Sequence, residues 1–168
     1  MTPMPQNHPG ALLRLRRSPE ARAILTGSAA YPSVTGAVDF YQTLSGVLVA
    51  AQVTGLPAEG ERCAGGFFAF HIHEGSSCSG NAQDPFADAG THYNPEDCPH
   101  PAHAGDLPPL LSCGGRAMGV VLTDRFTVLD VLGRTVVVHL GPDDFTSQPA
   151  GNAGAKIACG VIRPVPAR

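Results

Sequence analysis

Short runs in which apolar and polar residues alternate recur along most of the chain. Alternation over four to eight residues is typical of strands that bury one face. Eight runs fit this description: ARAILTGS, VTGAVDFYQ, LSGVLVAAQVTGL, FFAFHIH, RAMGVVLT, RFTVLDV, RTVVVHL and AKIACGVI. Turn-forming residues separate many of them. The pattern predicts an all-β fold of eight short antiparallel strands, arranged as a sandwich or a barrel.

One predicted connection is much longer than the others. Residues 74–115 contain none of the eight runs, which makes a loop of about 40 residues, whereas connections beyond about 12–15 residues are uncommon in compact domains. A loop of this length needs an internal crosslink or a function. This loop contains candidates for both, since it is rich in cysteine and histidine.

Length and composition are those of one domain. The chain has 168 residues, 43% of them hydrophobic, and a formal net charge of −3. This charge provides no basic surface for nucleic acid, and no apolar run reaches membrane-spanning length. We divide the chain into an N-terminal extension, residues 1–19, and a main domain, residues 20–168. The extension is Pro-rich and basic, and we expect a flexible tail or one helical turn, with a partner-binding arm as the alternative.

Histidines are concentrated around the long loop. Five of the seven lie between Phe70 and Asp106. A sixth, His139, stands near the end of the apolar run RTVVVHL. His71 and His73 are two residues apart on a predicted strand, so both face the same side of the sheet and can reach one ion. A structural or solvent-facing pair of histidines without a metal is the alternative. Imidazole suits copper and zinc, and six histidines are too many for one tetrahedral site, so the sequence predicts two metals.

A second group of ligands lies within the loop itself. The spacing is His92-x7-His100-x2-His103-x2-Asp106. Three imidazoles and a carboxylate provide the nitrogen and oxygen ligands that zinc accepts in tetrahedral geometry. The alternative interpretation is a polar surface loop with scattered histidines.

Five stretches of the chain resemble copper–zinc superoxide dismutases of a bacterial type with shortened zinc-binding and charged loops. They are FHIHE, AGTHYNP, HAGDL, GRTVVVH and GNAGAKIACGVI, and they span roughly residues 20–163. The resemblance implies a Greek-key β-barrel with long metal-binding loops. It also implies a copper site formed by His71, His73, His92 and His139, and a zinc site formed by His92, His100, His103 and Asp106.

The same resemblance implies a reaction and several residue roles. Two superoxide anions would be converted to dioxygen and hydrogen peroxide by Cu(II)/Cu(I) cycling, with His92 bridging the metals and acting as a proton donor. Asp143 matches an aspartate that hydrogen-bonds His71 and His100, whereas its alternative role is that of a solvated turn residue. Lys156 stands where the family usually has an arginine beside the copper, and it is expected to attract the substrate.

The chain contains five cysteines. The resemblance implies a disulfide between Cys78 and Cys159. A second bridge between Cys98 and Cys113 is our own inference, and it would leave Cys63 as a free thiol. Disulfides favour an oxidising compartment, but Arg residues interrupt the apolar stretch ALLRLRR, so no export signal is evident. We expect the cytoplasm, where this family retains its disulfide, with a periplasmic or secreted location if a leader has been trimmed.

Two further departures from the family pattern affect these expectations. His100 and His103 are unusually close, and the flanking Pro99 and Pro101 either preorganise them or keep one off the metal. Residues 141–154 contain no Lys or Glu, so we expect weak electrostatic guidance of the substrate.

Other functions remain open at this point. The second hypothesis is a copper-binding or copper-delivery domain without turnover. The third is a structural, metal-stabilised interaction domain with a β-sandwich fold. Superoxide is the expected partner, together with a possible second copy of the chain and a possible copper-delivery protein. The sequence does not define the dimer surface.

Overall fold

The computed structural model describes residues 18–57 and 66–166. Most of the proposed N-terminal extension, residues 1–17, lies outside the described residues, as does Cys63. Within these ranges, no helix is long and apolar enough to cross a membrane.

Eight antiparallel strands close into a barrel, which confirms the predicted fold class. Around the barrel the order is β1-β2-β3-β6-β5-β4-β7-β8, and β8 pairs with β1. The crossing from β3 to β4 passes over two other strands, which is the Greek-key feature. The strands are β1 (Ala21–Gly27), β2 (Thr35–Thr43), β3 (Gly46–Thr54), β4 (Phe67–His73), β5 (Asp106–Cys113), β6 (Arg116–Thr123), β7 (Thr135–His139) and β8 (Lys156–Pro164).

Alternation of buried and exposed side chains places the core inside the barrel. In β1, Ala21, Ala23 and Leu25 are fully buried while the residues between them face solvent. Phe40 of β2 and Phe68 of β4 also point inward and are among the largest fully buried side chains. The period of two follows from the pleat of a strand, whose successive side chains point to opposite faces.

The strand β7 departs from this alternation because both of its faces are covered. All five of its residues are buried. Val136 and Val138 contribute to the barrel core, whereas Val137 packs outside it with Phe86, Ala89 and Cys159. This second cluster lies under the long loop after β4, so the loop is seated on the barrel by its own apolar contacts.

The eight predicted runs are not the eight observed strands. RFTVLDV was predicted as a strand, but it contains the short helix α1 (Val128–Val131). The Asp130 carboxylate accepts hydrogen bonds from the Thr127 backbone N–H (2.7 Å) and hydroxyl (2.7 Å). Thr-x-x-Asp before an apolar pair is a helix-start signal, and it outweighs the β-branched residues here.

The strand that the sequence interpretation missed is β5, which was included in the long loop. Its sequence DLPPLLSC has two prolines, which lack an N–H and weaken a strand prediction. The β4–β5 pairing shifts register between Phe68 and Phe70, and β5 pairs with β6 only at Ser112 and Cys113. Pro108 and Pro109 therefore lie where few ladder hydrogen bonds are required.

Candidate metal centre

The predicted copper ligands are brought together on the outer surface of the barrel, beneath the loops. His71 and His73 alternate with core-facing Phe70 and Ile72 on β4, so both imidazoles leave the barrel on the same side. His139 ends β7, which pairs with β4. All three side chains are buried, at 4% exposure or less.

Backbone pairing with β4 places His92 next to these three histidines. It forms an isolated β-bridge with His73. On either side of the bridge, Tyr93 N donates to Ile72 O (2.8 Å) and Glu74 N donates to Thr91 O (2.9 Å). The chain around His92 is thus a short extra strand at the end of β4, which fixes the position of its imidazole.

The four predicted copper ligands form one compact set. His71, His73, His92 and His139 each offer a ring nitrogen, and these atoms lie within 4.8 Å of one another. His73 Nε2 and His139 Nε2 are 3.2 Å apart. Their other ring nitrogens donate to backbone carbonyls, His73 Nδ1 to Gly90 O (2.9 Å) and His139 Nδ1 to Gly154 O (3.1 Å). These bonds direct both Nε2 lone pairs toward the shared centre.

The predicted zinc ligands form a second set that shares His92 with the first. Ligand atoms of His92, His100, His103 and Asp106 also lie within 4.8 Å of one another. Asp106 Oδ2 is 3.0 Å from His100 Nδ1 and 3.3 Å from His103 Nδ1, and Asp106 Oδ1 is 2.7 Å from His92 Nδ1. The short interval between His100 and His103 therefore brings both imidazoles to one centre instead of keeping one away.

Asp143 connects the two sets. Its carboxylate accepts from His71 Nε2 (2.7 Å) and from His100 Nε2 (2.9 Å), and its side chain is 1% exposed. The bond with His71 leaves Nδ1 of the ring as the atom available to a metal. Gly151 makes room for this carboxylate, because a Cβ at Gly151 would lie 2.0 Å from Asp143 Oδ1.

Burial favours the neutral form of His71, His73 and His139, which is the form that binds metals. Burial, together with His92 and His139, lowers the pKa of His71 from 6.5 to about 2. Burial lowers the pKa of His139 to about 4, although its hydrogen bond with Gly154 opposes the shift. The pKa of His73 is lowered well below its usual value, by burial and then by His139.

The unpartnered atoms of the site show that its residues fit metal ions. Four buried side-chain polar atoms in the described residues lack a hydrogen-bond partner, and three of them are imidazole nitrogens: His71 Nδ1, His92 Nε2 and His100 Nδ1. A buried polar atom without a partner costs about 1–3 kcal/mol. Each of these nitrogens belongs to one of the ligand sets. His100 Nδ1 lies 3.0 Å from Asp106 Oδ2 without the geometry of a hydrogen bond, so all three lone pairs are available to a bound metal.

The structure joins Cys78 to Cys159, with an S–S distance of 2.07 Å. The proposed second bridge does not form, since Cys98 and Cys113 are free thiols. Asp106 and Cys113 lie at opposite ends of β5, seven residues or about 23 Å apart. Cys98 is held by Asn94, whose side chain bonds both the N–H and the carbonyl of Cys98. The two thiols therefore belong to different ends of the barrel.

Lys156 lies beside the copper set, but its charge is paired. It is the backbone neighbour of His139 in the sheet. Its ammonium group donates to Asp84 Oδ2 (2.6 Å) and to Phe86 O (3.2 Å). Burial has the largest single effect and raises the pKa of Asp84, but the hydrogen bonds from Lys156 and the Phe86 backbone N–H, together with the Lys156 charge, lower the net pKa. The sequence interpretation did not include Asp84, because nothing in the chain order relates it to Lys156.

Sequence reasoning also missed the groups that orient the ligands through the backbone. Gly90 O and Gly154 O are examples, and Gln148 is another, since its side-chain amide bonds both backbone groups of His100. Gly90 and Gly154 both have positive φ, 71° and 76°. A glycine two residues from a candidate ligand was the one available signal.

A closed antiparallel barrel with two adjoining four-ligand sets and one shared histidine defines a β-barrel protein with a paired metal centre. The family model for copper/zinc superoxide dismutase (SODC) matches residues 34–162. The chain belongs to the copper/zinc superoxide dismutase family.

Individual relatives agree with this assignment. The chain is 37% identical over 145 residues to "Superoxide dismutase [Cu-Zn] 2" of Aquifex aeolicus, covering 77% of this chain and 80% of the relative. It is 34% identical over 151 residues to a Cu-Zn superoxide dismutase of Deinococcus radiodurans, covering 79% of each protein. The structure of the Cu/Zn superoxide dismutase from Brucella abortus superposes with a TM-score of 0.69 at 26% identity, covering 84% of this chain and 99% of that chain.

Proposed function

We propose that the paired centre converts two superoxide anions and two protons into dioxygen and hydrogen peroxide. By its family the chain is a superoxide dismutase with copper and zinc as its metals. Copper, when bound by the four-imidazole set, supplies exchange of one electron between Cu(II) and Cu(I), whereas zinc has no redox chemistry. The protein supplies the binding, orientation and proton handling described below.

The observation that carries the proposal is the position of His92 in both sets. Its Nε2 is buried without a hydrogen-bond partner in the copper set, while its Nδ1 lies among the zinc ligands. His92 Nε2 is therefore an atom at which the chain can hold a proton and transfer it to reduced substrate. A zinc ion bound at His92 Nδ1 would fix the orientation of the imidazole ring, and hence the direction in which Nε2 presents its proton.

The remaining residues act by orientation and charge. Asp143 orients His71 and His100 together, so the two sets are mechanically linked. Lys156 is proposed to favour the approach of the anionic substrate, at a strength reduced by its pairing with Asp84.

Superoxide removal by copper- and zinc-loaded protein tests the proposal, with stopped-flow decay of superoxide as the assay. The variant His73→Ala removes one copper ligand from the end of β4 and should abolish activity while the circular dichroism spectrum of the barrel persists. The matched control is His8→Ala, which changes a histidine outside both sets. Full activity in His73→Ala would contradict the copper assignment.

The same experiment distinguishes the alternative of a non-catalytic copper-binding domain. Such a domain would give a four-nitrogen Cu(II) electron paramagnetic resonance spectrum but no superoxide removal. Retention of all four histidines of the copper set favours turnover. Family membership also supports the enzyme.

We also propose that the enzyme is a homodimer. Support comes from exposed apolar side chains on the outer faces of β4, β5 and β6: Phe67, Leu111, Met118, Val120 and Leu122. Phe67 and Leu111 are cross-strand neighbours, and β5 also pairs with β6. Clustered exposed apolar side chains commonly mark a protein interface. Sedimentation velocity should give a dimer that Val120→Lys dissociates and that Ile24→Lys, on the outer face of β1, leaves intact. A monomeric wild type at tens of micromolar would contradict the proposal.

Two further expectations remain proposals. Copper delivery by a partner protein is supported by the burial of the copper-set histidines, which limits direct access. Full copper occupancy within minutes in a buffered Cu(I) solution would remove the need for such a partner. Cytoplasmic location, expected from the sequence, would be tested by cell fractionation.

A further inference from the structure

The zinc-ligand segment, residues 98–106, has backbone hydrogen bonds to the barrel only near its end, where Ile72 N donates to Gly105 O (2.9 Å) and Gly105 N donates to Tyr93 O (2.8 Å). It presents three of the four predicted zinc ligands. Its internal backbone bonds are few: Ala102 N donates to Pro99 O (2.8 Å), and Asp106 N donates to His103 O (3.2 Å). Other contacts must therefore determine the shape in which it presents the ligands.

Arg125 makes the most concentrated of these contacts. It lies in the turn between β6 and α1, outside both ligand sets. Its Nη1 lies within hydrogen-bond distance of three backbone carbonyls of the zinc-ligand segment, those of Pro101 (3.1 Å), His103 (3.0 Å) and Asp106 (3.5 Å). Two of these carbonyls belong to zinc ligands.

Gln148 holds the other end of the segment. Its side-chain amide donates to His100 O (2.6 Å), and its side-chain carbonyl accepts from His100 N (3.0 Å). The two anchors come from different parts of the chain and contact different residues. Gln148 fixes the backbone at His100, and Arg125 fixes the backbone from Pro101 to Asp106.

We propose that Arg125 is a positioning residue of the zinc site, which holds the zinc-ligand segment in its ligand-presenting shape before zinc binds. Three carbonyl dipoles pointed at one place repel each other unless a donor lies between them, and hydrogen bonds from a charged donor are about twice as strong as neutral ones. Without Arg125 the carbonyls of Pro101 and His103 lose their charged donor, and the peptide planes that precede the β5 pairing are free to rotate toward solvent. The inference rests on the proposed zinc role of His100, His103 and Asp106.

The matched variants are Arg125→Gln, Arg125→Lys and Arg116→Gln. The first removes the guanidinium group, and the second keeps the charge with a shorter, single donor. The third removes an exposed arginine at the start of β6 as a control for net charge. Three readouts are measured: zinc dissociation into a chromogenic chelator, the d–d absorption of Co(II) bound in place of zinc, and amide hydrogen exchange of the metal-free protein.

We expect zinc to dissociate about 10–100-fold faster from Arg125→Gln than from the wild type, the range typical when a group that orients metal ligands is lost. Its Co(II) bands should shift or broaden, and amides of residues 102–106 should exchange faster in the metal-free protein. Arg125→Lys should be intermediate, and Arg116→Gln should match the wild type in all three readouts.

The proposal is overturned if Arg125→Gln keeps wild-type exchange in residues 102–106, or if Arg116→Gln releases zinc as fast as Arg125→Gln. The exchange measurement needs no metal, so it decides the role of Arg125 by itself. Failure of the wild type to bind zinc or Co(II) would instead count against the proposed metal centre.

Discussion

The disulfide between Cys78 and Cys159 is predicted to supply a large share of the stability of the metal-free protein. The bond joins residues separated by 81 positions. In the loop-entropy treatment, closing a loop of that size lowers the entropy of the unfolded chain by an amount worth about 4.5 kcal/mol at 25 °C. Whole-domain stabilities are about 5–15 kcal/mol, so this is a substantial fraction.

The perturbation is the double variant Cys78→Ala/Cys159→Ala. Its loss includes a packing term, because Cys159 is 2% exposed and belongs to the cluster with Phe86, Ala89 and Val137. We expect the free energy of unfolding to fall by about 4–5 kcal/mol and the melting temperature by about 10–20 °C.

Urea unfolding of metal-free protein, followed by circular dichroism, measures the change. The control is Cys113→Ala, which removes an exposed free thiol and should leave the midpoint unchanged. Limited proteolysis should cut the double variant within residues 76–88, where the loop would be released from the barrel. A loss below about 1 kcal/mol with no new cleavage would refute the entropic argument.

Three further predictions follow from the site. Lys156→Ala should slow superoxide removal at low salt by a few-fold to tenfold, which is about 1 kcal/mol in the activation barrier. Asp84→Asn should raise the rate because it frees the Lys156 charge. Rates equal to that of the wild type across a salt series, measured by pulse radiolysis, would contradict both expectations. Gly151→Ala should displace Asp143 and weaken copper and zinc binding together, as measured by metal content after dialysis against a chelator, whereas unchanged content would show that the site tolerates the methyl group. The pKa of His139 is depressed to about 4, so below pH 6.5 the unfolded chain binds a proton that the metal-free fold excludes. His139 alone should therefore lower the stability of metal-free protein by about 3 kcal/mol between pH 6.5 and pH 4, and the depressed pKa values of His71 and His73 act in the same direction. Urea midpoints that do not change with pH would be inconsistent with a buried neutral His139.

The predicted site residues come together in the structure because their information is local. His-x-His on an alternating strand determines the face of both imidazoles, and the loop ligands are close in sequence. One error was local, since the strand predicted at RFTVLDV overlooked the capping box of Thr127 and Asp130. Another arose where pairing depends on distant segments. The strand β5 was missed because its two prolines favour a loop prediction. The bulge that accommodates these prolines arises only when β5 pairs with β4.

The contacts of Lys156 and Arg125 show the same limit. The family resemblance led to the expectation that Lys156 lies beside the copper ligands, and in the sheet it pairs with His139. Its partner Asp84 is 72 residues away, and Arg125 meets carbonyl groups, which every residue has. Neither pairing leaves a pattern in the sequence, so the electrostatics of the site required the folded structure.

The short extra strand at His92 has a consequence for how this loop can change. The chain before this strand is bonded to the residues that follow β4: Gly75 N donates to Ala89 O (2.8 Å), and Glu74 N donates to Thr91 O (2.9 Å). The intervening residues 76–88 therefore form an excursion that starts and finishes at nearly the same place. Insertions or deletions within it can alter its length without moving His92. The position of His92 is therefore independent of the length of residues 76–88.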